Sequence, residues 1–318
     1  MSSLRHAISA VCLGLVALRA TPSGAAGTAW LARAGGGSSC SLAAPCASMQ
    51  SALSLVGPGG EIICLDRGSY GGGAILQSVT ISCGDGLWEA LGGPVGVLTP
   101  AGADVFIEGL VSDGNYSSAG TVALTFSGQG SLRLRRVRLG NSVGQFSHGL
   151  LFQPNGPATL HVSGSVFYHN GGSGILVRPQ PGGYANAHVR DVKFERNLHG
   201  LFADGGASST GINVNISDSL AAENEGNGFG VTSVVGKAQV TMSLARSHIS
   251  GNLANGLGAA GAALSGPGSA TIAVGGSMIT ANANGLAIAG AGQILTYGNN
   301  KLRFNGNNGA FTGATALQ

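Results

Sequence analysis

The stretch Ala158–Asn305 repeats one pattern, and residues 160–175 (LHVSGSVFYHNGGSGI), 187–201 (AHVRDVKFERNLHGL) and 214–229 (VNISDSLAAENEGNGF) are three of its copies. Each copy contains one asparagine in the same place. These asparagines, spaced by 27, 27, 28, 30 and 23 residues, are Asn170, Asn197, Asn224, Asn252, Asn282 and Asn305. A period of about 20–50 residues is typical of a solenoid, in which each repeat forms one turn.

Apolar residues stand at fixed distances before each of these asparagines. Three residues before them are Phe167, Phe194, Ala221, Ile249, Ile279 and Leu302. Ten and eight residues before them are Leu160 and Val162, Ala187 and Val189, Val214 and Ile216, Met242 and Leu244, Ile272 and Val274, and Leu295 and Tyr297. Apolar residues two apart predict strands, because side chains alternate across a strand. Each repeat is therefore predicted to be a loop of short strands with inward apolar side chains.

Stacking gives these repeats a common core that no single repeat can bury. Adjacent turns would pair as parallel strands roughly 4.8 Å apart, with like residues forming columns. The side-chain amides of Asn170, Asn197, Asn224, Asn252 and Asn282 are predicted to form a ladder, as amides do in other stacked sheets. A glycine follows each asparagine after three or four residues, and we interpret it as serving turns that need positive φ.

The coil length, the V/I-x-V/I strand starts and the N-x(2–3)-G-[I/L/F] unit resemble the right-handed parallel β-helix repeat of the pectin-lyase-like superfamily. Pectate lyases, pectin lyases and polygalacturonases share that fold. The resemblance is clear over Leu132–Gly309 and weaker back to Gly60. It implies an all-β, right-handed parallel β-helix solenoid, here with a short N-terminal capping helix. A shared fold does not carry an activity with it.

The N-terminal part of the chain is expected to direct export. Residues 1–26 are interpreted as a signal peptide, because Arg5 and His6 precede the apolar run Ala7–Leu18 and small residues follow it. A membrane anchor is the alternative, but the run is shorter than the ~20 residues that a span needs. We expect a secreted protein, periplasmic or extracellular, without a membrane span after cleavage.

The remaining chain is predicted to hold a cap and one solenoid. Residues 27–56 form the predicted N-terminal cap, because Met49, Leu53 and Val56 have helical spacing and solenoid ends need a cap. Residues 57–318 form the predicted β-helix. The opening C-S-x(4)-C, G-G-E-I-x-C-L-D and I-S-C also resembles secreted β-helix proteins of bacteria, which adds support for fold and export.

Four cysteines lie beyond the signal peptide. Cys40 and Cys46 flank a short loop, while Cys64 and Cys83 lie on predicted strands of neighbouring turns. We predict disulfides Cys40–Cys46 and Cys64–Cys83, although four cysteines allow three pairings. A zinc site is the alternative, and no C-x-x-C or histidine spacing supports it.

The composition excludes some classes of function. The chain has 57 glycines, 43% hydrophobic and 9% charged residues, which favours a packed, turn-rich β protein. Its net charge of +3 falls to +1 without Arg5 and Arg19. A nucleic-acid partner needs a basic footprint, which this balance does not give. The calcium-binding repeat G-G-x-G-x-D is absent from the sequence, and we expect no metal and no cofactor.

One constellation in the repeats suggests a ligand site. Arg133, His161 and His188 are equivalent positions on three successive predicted turns, and Arg135 and Arg190 lie two residues further on. These positions alternate with the buried ones and would point outward from one sheet. The resulting basic stripe is a candidate site for an acidic polysaccharide or cell-surface glycan, whose carboxylates arginine binds well.

Three interpretations of this face stay open. In the first, the protein binds a polysaccharide or serves as an extracellular adhesive or structural rod. In the second, it is a polysaccharide lyase, hydrolase or epimerase, with Asp191, Glu195 or Glu223 as acid or base. No Asp-Asp pair occurs, and His148-Gly149 and His199-Gly200 match the polygalacturonase motif only as dipeptides.

In the third interpretation, the face is solvated and its charges pair with each other, for example Arg196 with Glu223. Sparse acidic residues favour binding over catalysis. The sequence leaves the catalytic residues unassigned.

Overall fold

The computed structural model describes residues 27–84, 86–90, 93–113 and 121–316, so the expected signal peptide lies outside the described residues. The described chain winds into a parallel β-solenoid of about 8 turns. Every pairing between two of its strands is parallel. The predicted all-β parallel β-helix with one short helix is confirmed.

The strands form three faces, named A, B and C in the order in which a turn meets them. The strands of face A are Thr28–Leu31, Gly60–Cys64, Val79–Ser82, Asp104–Glu108, Gly130–Arg135, Ile212–Ser217, Val240–Ala245, Ala270–Gly275, Gln293–Thr296 and Gly313–Ala314. The strands of face B are Gly68–Ser69, Trp88–Glu89, Leu110–Asp113, Arg138–Gly140, Leu220–Ala222, His248–Ser250, Met278–Thr280 and Lys301–Leu302. Two long strands, Pro157–Tyr168 and Tyr184–Glu195, run through faces A and B.

Face C closes each turn and forms a separate sheet. Its strands are Gly73–Ile75, Val95–Val97, Leu124–Phe126, Leu150–Phe152, Ser173–Val177, His199–Asp204, Asn227–Thr232, Asn255–Gly261 and Asn284–Gly290. Alternate side chains of all three faces point into one continuous apolar core. The predicted inward column from Phe167 to Leu302 is in register from turn to turn, including Phe194, Ala221, Ile249 and Ile279.

The last repeat departs from the predicted register. Leu295 and Tyr297 were expected to point inward, but Ile294 pairs with Ile272 and Leu295 pairs with Ala273. The prediction was wrong because the turn between Thr296 and Lys301 holds one residue more than the corresponding turn in the preceding repeat. Counting back from Asn305 therefore shifts the strand by one position.

The five asparagines of the predicted ladder, together with Asn305, form a continuous chain of hydrogen bonds at the corner between faces B and C. Each Nδ2 donates to the Oδ1 of the next asparagine, from Asn170 onward, at 2.7, 3.2, 2.8, 2.7 and 2.9 Å. Each Oδ1 from Asn197 onward also accepts from the preceding asparagine's backbone N–H. The amides thus satisfy buried backbone donors along the corner.

A second ladder, which the sequence analysis missed, follows the corner between faces A and B. Ser219, Ser247 and Ser277 stand five residues before a ladder asparagine and are buried. The Ser247 Oγ accepts from the Ser219 N–H at 3.2 Å, and the Ser277 Oγ accepts from the Ser247 N–H at 3.1 Å. Each of these hydroxyls also donates to a carbonyl two residues earlier.

Positive φ in the turns falls largely on residues other than the repeat glycines. Asp191 and Asp218 have φ of 55° and 53°, for example, whereas the repeat glycines from Gly174 to Gly285 have none. Our interpretation was therefore wrong for these five glycines, and it is confirmed only for Gly309 in the last repeat, whose φ is 70°. A Cβ on Gly200 would lie 2.3 Å from the carbonyl oxygen of Gly228, so close stacking of turns excludes a side chain there.

The helix Met49–Leu55 begins at Ser48, whose side chain accepts from the Ser51 N–H. It buries Met49, Ala52 and Leu53 and contacts both Thr28–Leu31 and the first described strand of face C, Gly73–Ile75. Disulfides join Cys40 to Cys46 and Cys64 to Cys83. Within the described residues, no helix has the length and apolarity to cross a membrane.

Candidate ligand-binding grooves

The outward columns of face A contain the residues that the sequence singled out. Arg133 pairs with His161, which pairs with His188, on three successive turns. In the neighbouring column, Ser163 stands between Arg135 and Arg190. The structure therefore aligns all five candidate residues on one face.

The two arginines at the N-terminal end of this stripe each pair with a carboxylate of the preceding turn, and Arg135 shares its partner, Glu108, with Arg136. Arg133 forms an ion pair with Asp104. Glu108 is only 5% exposed, lies opposite Arg135 in register and accepts a hydrogen bond from it at 2.8 Å. The stripe of unpaired basic residues is thus shorter than the five expected. The sequence did not indicate these partners, because Asp104 and Glu108 lie before the part of the sequence where the repeat is clear.

The two histidines form a stacked pair. The rings of His161 and His188 have centroids 4.9 Å apart and planes inclined by 11°. Burial, and then the charges of His188 and Arg133, lower the pKa of His161. This imidazole is therefore neutral near pH 7 and offers a flat face and hydrogen bonds, with no charge.

An open groove of about 870 Å³ follows face A from the histidine pair to Tyr297. The column after Arg190 continues with Ser217, Ala245 and Gly275, whose small side chains leave this depression. His161, His188 and Arg190 line the groove, whereas Arg133 and Arg135 do not. Tyr297 also lines the groove, although counting back from Asn305 in the sequence had placed it in the core.

Arg190, Asp218 and Arg246 form the charged edge of this groove. Arg246 donates to both carboxylate oxygens of Asp218, at 2.7 and 3.0 Å, and Arg190 lies 3.5 Å from the same carboxylate. The hydrogen bond from Arg246 holds the pKa of Asp218 below its usual value. Two arginines facing one carboxylate leave this edge with a net positive charge.

A second groove of about 660 Å³, here called the corner groove, lies on the other side of Arg246, between faces A and B. Its lining includes Asp191, Asp218, Lys193 and Lys301. Arg190 and Ser217 are paired in register, so Asp191 and Asp218 follow on successive turns, roughly 5 Å apart along the axis. Asp191 forms no ion pair within the described residues.

A third groove of about 590 Å³ lies on face B beside Tyr168, and we call it the Tyr168 groove. The Tyr168 hydroxyl donates to Asp113 at 2.8 Å, and the Arg138 guanidinium lies 5.4 Å from the ring centroid. Burial, and then the hydrogen bond to Asp113, raise the pKa of Tyr168. Arg196 and Glu223, the pair expected from the sequence, line this groove with a 2.9 Å hydrogen bond.

The two His-Gly dipeptides have structural roles. The Nδ1 of His148 accepts from the Ser173 N–H at 2.8 Å, and that of His199 accepts from the Asn227 N–H at 2.9 Å. Burial is the main cause that lowers the pKa of both histidines, to about 4 for His148. Neither residue lines the three grooves described above.

We expect the substitution His148→Asn to reduce the loss of stability at acid pH. The pKa of His148 is about 4 in the folded protein and about 6.5 in an unfolded chain, so only the unfolded state takes up a proton as pH falls from 6.5 to 4. Stability is thus retained above pH 6.5 and lost below it. Asparagine keeps an acceptor and does not titrate. Melting temperatures at several pH values would test this, and parallel curves for the two proteins would contradict it.

No clustered group of three or more His, Cys, Asp or Glu residues in the described part of the chain is suited to hold a metal ion.

No family model and no curated protein matches the sequence. Two solved structures resemble the fold. Pectate lyase Pel9A is 15% identical, with 87% of this chain and 78% of that chain covered and a TM-score of 0.45. The A-module of Azotobacter vinelandii mannuronan C-5 epimerase AlgE4 is 14% identical, with 82% and 91% covered and a TM-score of 0.43.

Proposed function

We propose that the chain is a secreted protein that binds an acidic polysaccharide along face A. The observation that carries this proposal is the open groove of about 870 Å³ between His161 and Tyr297. Successive turns present equivalent positions along its length, which suits an extended polymer with repeating units. The two disulfides support folding in an oxidising compartment, as secretion requires.

Each side of the groove offers a different contact. Arg190 and Arg246 can bind carboxylates or sulfates, and Arg246 is already held in a bidentate geometry by Asp218. The stacked rings of His161 and His188 offer a flat surface against which a sugar ring can pack. Arg133 and Arg135 are left out of the proposed site because they do not line the groove.

The double substitution His188→Ala/Arg190→Gln is expected to weaken binding of polygalacturonate or alginate by tenfold or more. It removes one ring face and one cation from the groove, and a tenfold change corresponds to about 1.4 kcal/mol. Biolayer interferometry with immobilised polymer would measure it. Arg133→Gln is the matched control, since this arginine lies outside the groove, and its binding should change less than twofold. Equal binding by the double variant and the unaltered protein would contradict the proposed site.

A second candidate function is cleavage or epimerisation of such a polymer. The observation in its favour is the pair Asp191 and Asp218 on successive turns of the corner groove. Arg246 holds Asp218 ionised, which leaves Asp191 as the candidate base. The incubations used for binding also test this candidate. Shortened, unsaturated or epimerised products that disappear with Asp191→Asn would establish an enzyme, and unchanged polymer would leave binding as the function.

A further inference from the structure

One outward column of face B alternates between basic and apolar residues. The strand register places one residue of this column on each successive turn, in the order Arg138, Val166, Lys193, Leu220, His248, Met278 and Lys301. The four basic members are exposed and the three apolar members are half-buried. We call this set the alternating column. Its basic residues recur on every second turn, about 9.5 Å apart.

The basic side chains of the column are available to a ligand. Within the described residues, Arg138, Lys193 and Lys301 form no ion pair. Arg138 lies over the Tyr168 ring, which leaves its positive charge uncompensated by a carboxylate. The carboxylates that flank the column, Asp191, Glu195 and Asp218, lie in other columns, and Asp218 is bound by Arg246.

The column also follows an accessible path. Arg138, Val166 and Lys193 line the Tyr168 groove. Lys193 continues into the corner groove, whose lining includes the remaining members of the column from Leu220 to Lys301. Lys193 thus joins the two grooves into one path over seven turns, roughly 29 Å from end to end.

We propose that face B binds an acidic polysaccharide that carries one anionic group per disaccharide. The spacing of about 9.5 Å between cations is close to the length of a disaccharide in an extended pyranose chain. Each anionic sugar would face one of the four basic residues, and each uncharged sugar would face Val166, Leu220 or Met278. A polymer with a charge on every sugar would place half of its anions against apolar side chains, which is unfavourable. The inference goes beyond the proposed face A site, because it places a second polysaccharide site on face B and specifies the charge period of its ligand.

The test compares hyaluronan, which has one carboxylate per disaccharide, with polygalacturonate, which has one on every sugar. The comparison is made in the His188→Ala/Arg190→Gln background, so that the face A groove does not contribute, and we expect this variant to prefer hyaluronan at equal ionic strength. The double substitution Lys193→Gln/Lys301→Gln should weaken hyaluronan binding at least tenfold and reduce its salt dependence. Lys237→Gln, at a half-buried lysine in the connection between faces C and A, is the control and should leave binding unchanged.

A further variant tests the alternation itself. Leu220→Lys places a cation on the turn between Lys193 and His248 and should shift preference towards polygalacturonate. Hyaluronan binding that is lost only in His188→Ala/Arg190→Gln would overturn the inference and leave the proposed face A site intact. A preference for polygalacturonate that persists in His188→Ala/Arg190→Gln would also overturn the charge period. Binding of neither polymer would overturn both proposals.

Discussion

Replacing Asn224 with alanine is expected to lower the free energy of unfolding by about 3–6 kcal/mol. Asn224 is fully buried in the middle of the amide ladder. Its Oδ1 accepts from the backbone N–H and from the Nδ2 of Asn197, at 3.0 and 3.2 Å. Its Nδ2 donates to Asn252 at 2.8 Å and to the Phe194 carbonyl at 3.2 Å. Alanine would leave several buried polar groups without partners, each at a cost of about 1–3 kcal/mol.

Urea unfolding followed by circular dichroism would measure this change. Asn215→Ala is the control, because Asn215 is exposed on face A and makes no side-chain hydrogen bond within the described residues. We expect the control to change the free energy of unfolding by less than about 0.5 kcal/mol. Equal stabilities of the two variants would show that the ladder contributes little, and that apolar packing alone holds the turns in register.

The sequence predicts the fold well where the same residue, or an apolar residue of the same column, recurs on every turn. The inward column through Phe167 and Phe194 and the ladder through Asn197 tolerate few residue types, because each side chain contacts its equivalents above and below. The serine ladder was visible in the same way, five residues before Asn224, Asn252 and Asn282, but small polar residues are common in turns. A serine in a glycine-rich sequence therefore does not indicate a structural role until its burial is known.

Prediction of side-chain direction from the sequence fails where the turns differ in length. One extra residue before Lys301 moves Tyr297 from the predicted core to the groove of face A. A single-residue shift reverses the side of the sheet to which each side chain points, because the side-chain period of a strand is two. The repeat alone therefore cannot assign the edge of a site that lies in an irregular turn.

The register of the candidate residues was predicted, but their charge balance was not. The repeat aligned Arg133 with His161 and Arg135 with Ser163 correctly. Their partners Asp104 and Glu108 lie in a less regular part of the sequence, where no alignment with the repeats was available. The alternating column of face B shows the opposite case. Its members are recognisable in the sequence only once the turns are aligned, because about 27 residues separate neighbours in space.

Phe194→Ala should also be strongly destabilising, with an expected loss of about 3–5 kcal/mol in the free energy of unfolding. Phe194 is fully buried. Its ring stacks on that of Phe167 with centroids 5.5 Å apart and meets the edge of Phe229 at 5.7 Å. Alanine would remove both contacts. It would leave a cavity next to Ala221, the small residue at the equivalent position of the following turn.

Phe304→Ala provides the control, since Phe304 is 77% exposed and the same atoms are deleted. We expect its free energy of unfolding to change by less than about 0.5 kcal/mol. Because each turn contacts only its neighbours, the Phe194 variant should also show faster hydrogen exchange concentrated in the turns around residues 160–230. A loss below about 1 kcal/mol would mean that the adjacent turns close the cavity. Evenly faster exchange along the chain would mean that the solenoid unfolds as a single cooperative unit.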